Sequence, residues 1–166
     1  MAALTAAGAV AGGCSGGNAS PPQSLTGKAQ QLVTRAEIDR YARGTPEHEF
    51  LQWWRDVQYS NLSAFVAAFQ PTVRQELQSD AKLPDAFEWF AGSIRTARPS
   101  INDSQRSGAT VTLYTTITYR RPIGITRYVT STRPQAFVLV RRAGKWKLQS
   151  DSFMQATLPK TLRRGV

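Results

Sequence analysis

The sequence contains few of the residues that build redox and metal sites. Of its 166 residues, one is a cysteine, Cys14, and one is a histidine, His48. A single cysteine excludes a disulfide within the chain. One cysteine and one histidine are also too few to provide the usual ligands of a Cys/His metal site. No run of 18 or more apolar residues occurs, so the sequence does not encode a permanent membrane-spanning helix. We therefore expect no metal and no cofactor.

Acidic residues are missing from the second half of the chain, where none occurs between Asp103 and Asp151. Residues 35–94 carry nine acids and six bases, residues 95–166 carry two acids and fourteen bases, and the net charge is +10. Such a positive field attracts anionic partners. We predict a basic patch that faces an anionic surface, although the charge could also serve solubility alone. The residues of this predicted patch are Arg120, Arg121, Arg127, Arg141, Arg142, Lys145 and Lys147.

The N-terminal residues predict export and a lipid anchor. Residues 2–13 are small or apolar and uncharged, as in a signal segment. Val10-Ala11-Gly12-Gly13-Cys14 resembles the lipobox of bacterial lipoproteins, and this resemblance implies lipid attachment at Cys14 on the extracytoplasmic face of the cell membrane. Residues 1–14 are then a leader, and the Gly/Ser/Pro-rich residues 15–34 are a flexible linker. The alternative is a free cysteine in a flexible leader.

Four amphipathic helices are predicted between residues 45 and 94. Thr45 and Pro46 suit the cap and first position of one helix, and Asn61 suits the cap of the next. Asp85 and Glu88 have the spacing of a capping box in the fourth helix. Apolar residues in the four segments recur with helical spacing: Phe50, Trp53, Trp54 and Val57; Leu62, Phe65, Val66 and Phe69; Val73 and Leu77; and Leu83, Phe87, Phe90 and Ile94.

Antiparallel strands are predicted after residue 95. In residues 109–119, one side of a strand would carry Val111, Leu113, Ile117 and Tyr119, and the other would carry Thr110, Thr112, Thr116 and Thr118. This pattern predicts a strand with one covered face. We expect a turn at 121–124, then a further strand or bent strand through 125–129 and 136–142. A hairpin at Ala143-Gly144 leads into a strand at 145–153, and a weaker strand is expected at 98–106. Residues 154–166 are interpreted as a basic tail. Helices followed by strands predict an α+β domain.

This order of elements resembles the nuclear-transport-factor-2-like (cystatin-like) superfamily. The resemblance covers residues 35–153 and rests on the Trp-rich first helix, the Asn-started second helix and the closing hairpin Arg141-Arg142-Ala143-Gly144-Lys145-Trp146-Lys147-Leu148. It implies N-terminal helices packed on a curved antiparallel sheet, a cone-shaped fold with an apolar pocket. The pocket-lining candidates are Trp53, Trp54, Tyr59, Phe87 and Phe90. Core packing is the other explanation for such aromatic residues.

The sequence leaves catalysis uncertain and favours its absence. Enzymes of that superfamily place Asp, Tyr or His in the pocket, because proton abstraction needs a base tuned by burial. The candidates are Asp56, Asp103, Asp151, Tyr59, Tyr114, Tyr119 and His48. Each of these carboxylates lacks an evident partner in the sequence, and we expect them in solvent.

The sequence therefore predicts an exported, lipid-anchored and non-catalytic binding or assembly module of a bacterial cell envelope. Its expected partners are the membrane surface and a protein of an envelope complex. Nucleic acid is an unlikely partner, because Tyr114 is the one aromatic residue placed with ease on the polar strand face. Two alternatives stay open: a small-molecule carrier or enzyme that uses the apolar pocket, and a subunit of an envelope secretion machine.

Overall fold

The computed structural model describes residues 30–123 and 127–164, and within them the chain forms an α+β domain. A group of helices comes first, a four-stranded antiparallel sheet follows, and one further helix closes the described chain. The leader 1–14 with Cys14, and most of the predicted linker, lie outside the described residues. The elements are α1 (Arg35–Ile38), α2 (Pro46–Gln58), α3 (Leu62–Ala67), α4 (Pro71–Ser79), α5 (Leu83–Ile94), β1 (Ala97–Ser107), β2 (Thr110–Ile123), β3 (Arg127–Arg142), β4 (Lys145–Leu148), α6 (Ser152–Thr157) and a 3₁₀ turn (Lys160–Leu162).

Side-chain caps start several helices where the sequence predicts them. The Thr45 side chain accepts a hydrogen bond from the His48 backbone N–H, and Asn61 caps α3 in the same way. The predicted capping box of the fourth helix is wrong: α5 begins after Lys82 without a side-chain cap, and Asp85 lies inside its first turn. A capping box does start α1, the short helix that the sequence analysis did not predict.

The sheet has the strand order β1-β2-β3-β4, with antiparallel neighbours throughout. The hairpin between β3 and β4 turns at Ala143 and Gly144, as predicted, and both residues have positive φ angles, which suits a two-residue hairpin. The predicted turn at 121–124 is wrong because β2 continues to Ile123, which pairs with Arg127. The strand or bent strand predicted through 125–129 and 136–142 is β3, which begins at Arg127 and continues to Arg142.

The core lies between the helices and one face of the sheet. The predicted alternation in β2 is confirmed, since Val111, Leu113 and Ile117 are buried while Thr112 and Thr116 face the other side. Thr115 also lies on the buried side, where its hydroxyl donates to the Gln135 carbonyl at 2.8 Å. On β3, Phe137 and Leu139 lie opposite Leu113 and Val111 and complete this buried face. We call it the inner face of the sheet, and the side away from the helices the outer face.

The folded body extends beyond the predicted domain, residues 35–153, at both ends. Residues 30–34 of the predicted linker are described: Val33 is buried and its N–H donates to Gln58 Oε1 at 2.8 Å. The predicted tail 154–166 begins inside α6, where Met154 and Leu158 are buried in the core. Arg164 then pairs with Asp151 at 2.6 Å, so these residues belong to the folded body.

Candidate functional site

The predicted pocket residues lie in the packed core. Trp53, Trp54, Phe87 and Phe90 are each at most 4% exposed. Their rings contact other aromatic rings, with Trp53 and Trp54 edge to face at a centroid distance of 6.0 Å. Tyr59 is separate from them: it follows α2 at the surface, where the Arg55 guanidinium lies 4.7 Å from its ring centroid. The first four aromatic side chains therefore fill the interior that the predicted pocket would occupy.

The predicted basic patch is divided into two groups by the length of the β2–β3 hairpin. Arg127 begins β3 and Arg141 lies fourteen residues further along it, which places them roughly 45 Å apart. One group lies at the tip of the hairpin, and the other lies around the β3–β4 turn. The tip group is Arg120, Arg121 and Arg127, and the turn group is Arg141, Arg142, Lys145 and Lys147.

The turn group is partly engaged by the core. The Arg141 guanidinium lies 5.9 Å from the Trp146 ring centroid, and Lys147 Nζ donates to the Ala67 carbonyl at 2.6 Å. Burial lowers the pKa of Lys147, and the neighbouring cations Arg74 and Lys145 lower it further. These contacts leave the tip group as the better candidate for an external partner.

The tip of the hairpin, residues 120–123 and 127–130, projects beyond the core, and we call it the hairpin end. The last residue pair between β1 and β2 is Ala97 with Tyr119, and the Arg120 N–H still donates to the Thr96 carbonyl at 2.8 Å, so residues 121–123 pair with β3 alone. The first eight residues of β3, 127–134, are all exposed. A two-stranded ribbon therefore extends from the sheet.

Cationic and apolar side chains alternate on the hairpin end. Ile123, Tyr128 and Val129 are 41%, 39% and 45% exposed, which is unusual for large apolar side chains. The Arg120 guanidinium lies 4.7 Å from the Tyr128 ring centroid. No ion pair among the described residues involves Arg121. β2 and β3 contain no acid, so neither strand supplies a carboxylate to these arginines.

An open cleft lies beside the hairpin end, between the inner face of β2–β3 and α6. Its volume is about 650 Å³, and its walls include Tyr119, Arg121, Ser131, Arg133 and Ala156. Arg133 lies 5.9 Å from the Tyr119 ring centroid. Burial raises the pKa of Tyr119, and the charge of Arg133 opposes this shift only in part.

The catalytic candidates are dispersed through the fold. Asp103 is exposed and accepts a hydrogen bond from the Ser104 N–H, whereas half-buried Asp56 accepts one from Gln52. Burial raises the pKa of Asp56. The expectation that Asp151 is solvated is wrong, since it is 7% exposed and ion-paired with Arg164.

The remaining titratable candidates do not join those carboxylates. His48 lies in the first turn of α2, with Nδ1 3.8 Å from the Glu49 carboxylate. Tyr114 lies on the outer face, as predicted, and its hydroxyl donates to Gln105 at 3.2 Å. In the part of the chain that the structure describes, no cluster of three His, Cys, Asp or Glu residues could hold a metal ion.

Sequence reasoning missed where the N-terminal segment joins the sheet. Gln31 Nε2 donates to the carbonyls of Thr96 and Thr118, at 3.0 and 2.9 Å. Thr118 precedes Arg120 by two residues, so the segment that leads from Cys14 meets the body next to the hairpin end. No local pattern marks Gln31 for this role, because both of its partners are backbone groups brought together by β1 and β2.

Comparisons with known proteins give a likeness in fold. No model of a known protein family matches the chain, and no curated protein matches it. The solution structure of a SEC-C motif containing protein from Rhodopseudomonas palustris is similar over 68% of this chain and 80% of its own, with a TM-score of 0.50 and 14% identity. A Xanthomonas campestris protein, provisionally described as a calcium/calmodulin dependent protein kinase II association domain, matches 72% of this chain and 89% of its own, with a TM-score of 0.42 and 14% identity.

The helices of the described residues were also compared with the length and hydropathy needed to span a bilayer. None of them, in residues 30–123 and 127–164, is long and apolar enough.

Proposed function

We propose that this protein is an exported, lipid-anchored binding module of a bacterial cell envelope, and that it acts without catalysis. Cys14 carries the lipid, and the hairpin end contacts the anionic surface of the same membrane. The observation that carries the proposal is the concentration of Arg120, Arg121 and Arg127 with exposed apolar side chains on a ribbon that projects from the core. On a projecting ribbon, cationic and apolar side chains can contact a flat membrane surface at the same time.

The position of the N-terminal segment supports this orientation. Residues 15–30 connect Cys14 to Gln31, and a fully extended chain of that length spans at most roughly 55 Å. The segment joins the body beside Thr118, close to the hairpin end. A lipid at Cys14 and the hairpin end would therefore act on the same bilayer.

The hairpin end adds orientation to an attachment that the lipid supplies. A single acyl chain gives marginal membrane binding, whereas the two chains of a diacylglyceryl group make attachment stable. Each Arg or Lys near an anionic surface contributes about 1 kcal/mol. Once the lipid is inserted, contact by the hairpin end becomes an intramolecular event, which raises its effective concentration.

The finer fold assignment belongs to the same proposal. We infer a nuclear-transport-factor-2-like domain, with its sheet curved around the helices as a cone. The strand order and the helices on one face of the sheet support it.

A role as a subunit of an envelope secretion machine is the second candidate function. It is favoured by β3, because the edge of β3 opposite β2 pairs with β4 only from Leu139 onward in the described chain. An unpaired edge can accept a strand from a partner protein.

Native mass spectrometry tests the anchor directly. We expect the protein isolated from the membrane fraction of its host to begin at Cys14 with a diacylglyceryl group, and Cys14→Ser to release it from that fraction. A native protein in the cytosol with an intact Met1 would contradict the anchor.

Vesicle binding tests the hairpin end separately. The full chain with Cys14→Ser should sediment with vesicles of equal parts phosphatidylglycerol and phosphatidylcholine, and the added triple change Arg120→Glu, Arg121→Glu and Arg127→Glu should abolish this. The matched control reverses the same number of charges at the turn group, with Arg141→Glu, Arg142→Glu and Lys145→Glu. Circular dichroism checks that both variants fold. Equal binding by the two variants would exclude the hairpin end as the contact surface.

A further inference from the structure

The cleft between β2–β3 and α6 has the size of a ligand site, and it shares Arg121 and Val129 with the hairpin end. Its volume of about 650 Å³ lies within the usual range of small-molecule sites. One wall is the inner face of the sheet beyond the core, and the opposite wall contains Ala156 and Thr157 of α6. The cleft is thus formed by rigid elements rather than by a loop.

Two arginines stand on the sheet wall of the cleft. Tyr119 pairs with Ser131 across the two strands, and the flanking pairs on this face are Ile117 with Arg133 and Arg121 with Val129. Arg121 and Arg133 therefore lie on opposite strands, one on each side of the Tyr119–Ser131 pair. No ion pair among the described residues neutralises either guanidinium, and all the residues that line the cleft are uncharged or basic. An anion centred over the Tyr119–Ser131 pair would be approached by a cation from each side.

Hydroxyl groups lie between the two arginines. Tyr119 and Ser131 can each donate a hydrogen bond to an anionic oxygen. Burial keeps the pKa of Tyr119 above its ordinary value of 10.0, so this hydroxyl carries its proton at neutral pH. Two guanidinium groups and two hydroxyls together offer more donors than the two oxygens of a carboxylate need, and they suit the larger number of oxygens on a phosphate.

Part of the remaining lining of the cleft is apolar. Val129, Pro122 and Ala156 are among its lining residues. This apolar surface beside the two arginines can contact an alkyl chain. Inorganic phosphate has no alkyl chain, so it can interact with the cationic groups alone.

We propose that this cleft binds an amphiphilic phosphate, with the phosphate held between Arg121 and Arg133 and an alkyl portion against Val129 and Ala156. The proposal goes beyond the proposed function, because a soluble ligand can occupy the cleft without a membrane. The phosphate can come from a free alkyl phosphate or from a phospholipid headgroup, and these two sources share the same chemistry.

Isothermal titration of the full chain with Cys14→Ser tests the cleft with three probes: octyl phosphate, inorganic phosphate and the neutral octyl glucoside. We expect octyl phosphate to bind at least about tenfold more tightly than either of the others, because it alone uses both walls. Comparable affinity for octyl glucoside, or no gain of octyl phosphate over inorganic phosphate, would overturn the proposal.

Two variants separate the parts of the cleft, and neither alters a residue of the vesicle experiment. Arg133→Ala removes one cation, and Ala156→Trp fills the apolar wall without a change in charge; each should weaken octyl phosphate about tenfold or more. Arg142→Ala, at the opposite end of β3, is the matched control and should leave the affinity within about twofold. Thermal melts confirm that all three variants fold, and unchanged affinity in both cleft variants would refute the site.

A short-chain phosphatidylglycerol, titrated below its micelle concentration, identifies the source. Tighter binding than that of octyl phosphate assigns the cleft to a membrane phospholipid, and weaker binding assigns it to a free phosphate monoester. The outcome does not depend on vesicle binding by the hairpin end, so the two proposals can fail separately.

Discussion

Gln58 shows how one buried polar side chain joins distant parts of the chain. It is fully buried at the end of α2, where its Oε1 accepts from the Val33 N–H. Its Nε2 donates to the carbonyls of Gln31, Ile94 and Ala97 at distances between 2.9 and 3.1 Å. The N-terminal segment, α5 and the start of β1 are thus held at one point.

Replacement of Gln58 by leucine should destabilise the protein strongly. Gln58→Leu leaves the Val33 N–H and three carbonyls without this partner inside the core, and an unsatisfied buried group costs about 1–3 kcal/mol. We expect the free energy of unfolding to fall by about 2–4 kcal/mol in a urea titration.

Gln52→Leu is the matched control, because Gln52 lies in the same helix and makes one side-chain hydrogen bond, to Asp56 at 3.1 Å. This change should cost less than about 1 kcal/mol. Equal losses in the free energy of unfolding would show that the hydrogen bonds of Gln58 contribute no more to stability than the one made by Gln52.

The sequence predicts only part of the role of Gln58. It follows Trp54 by four residues, so helical spacing places it on the side of α2 that carries the apolar stripe. Its partners come from three other segments, and no spacing within α2 contains information about them. The role of Gln31 could not be predicted for the same reason, because its partners lie in other segments.

At the scale of elements, α6 is the clearest failure of sequence reasoning. Met154 and Leu158 are four residues apart and both buried, but a helix of six residues is too short to show a period. The bases and the proline that follow are typical of a tail. The pairing of Arg164 with Asp151 and Glu76, which retains this segment, depends on α4 and could not be read locally.

Truncation of Leu158 tests whether α6 belongs to the core. Leu158→Ala should lower the free energy of unfolding by about 2–4 kcal/mol, because the cavity left in a packed core adds to the lost burial. Lys160→Ala, two residues further on and exposed, should change it by less than about 0.5 kcal/mol in the same thermal or urea measurement. A Leu158→Ala variant as stable as the control would mean that the predicted tail is correct.

Longer elements were predicted because they carry redundant signals. α2 and α3 have both a side-chain cap and an apolar stripe, and β2 has apolar residues at 111, 113 and 117 with threonines at 112 and 116. The boundary of β2 was missed because Pro122 suggested a turn. Pro122 instead pairs with Tyr128 in a ribbon that has no third strand at this level, where a proline is tolerated.

At the scale of the whole molecule, the positive charge is separated into two ends of the β2–β3 hairpin. In the part of the chain that the structure describes, the hairpin end combines arginines with exposed apolar residues and lies beside the N-terminal segment. The net charge of +10 is therefore distributed unevenly over the body. An anionic surface should attract one end of the body more strongly than the other.

Salt should reveal how much of vesicle binding is electrostatic. For the full chain with Cys14→Ser, a rise from about 50 to about 500 mM NaCl should reduce the bound fraction on phosphatidylglycerol vesicles several-fold, because the Debye length becomes shorter than the distance between exposed charges. Vesicles of phosphatidylcholine alone give the apolar contribution of Ile123 and Val129, which should not change with salt. Binding that is insensitive to salt on both vesicle types would contradict an electrostatic contact.

By itself the sequence determined the α+β class, the helices with caps and stripes, the covered face of β2 and the sign of the charge in the second half. These depend on spacings within one segment, where 3.6-residue and two-residue periods arise from the local geometry of the backbone. The tertiary structure alone decided that the predicted pocket is a filled core and that the basic residues form two groups. It also decided that Arg121 and Arg133 line the same cleft. Those outcomes depend on strand register and on contacts between segments far apart in sequence, which a local pattern does not specify.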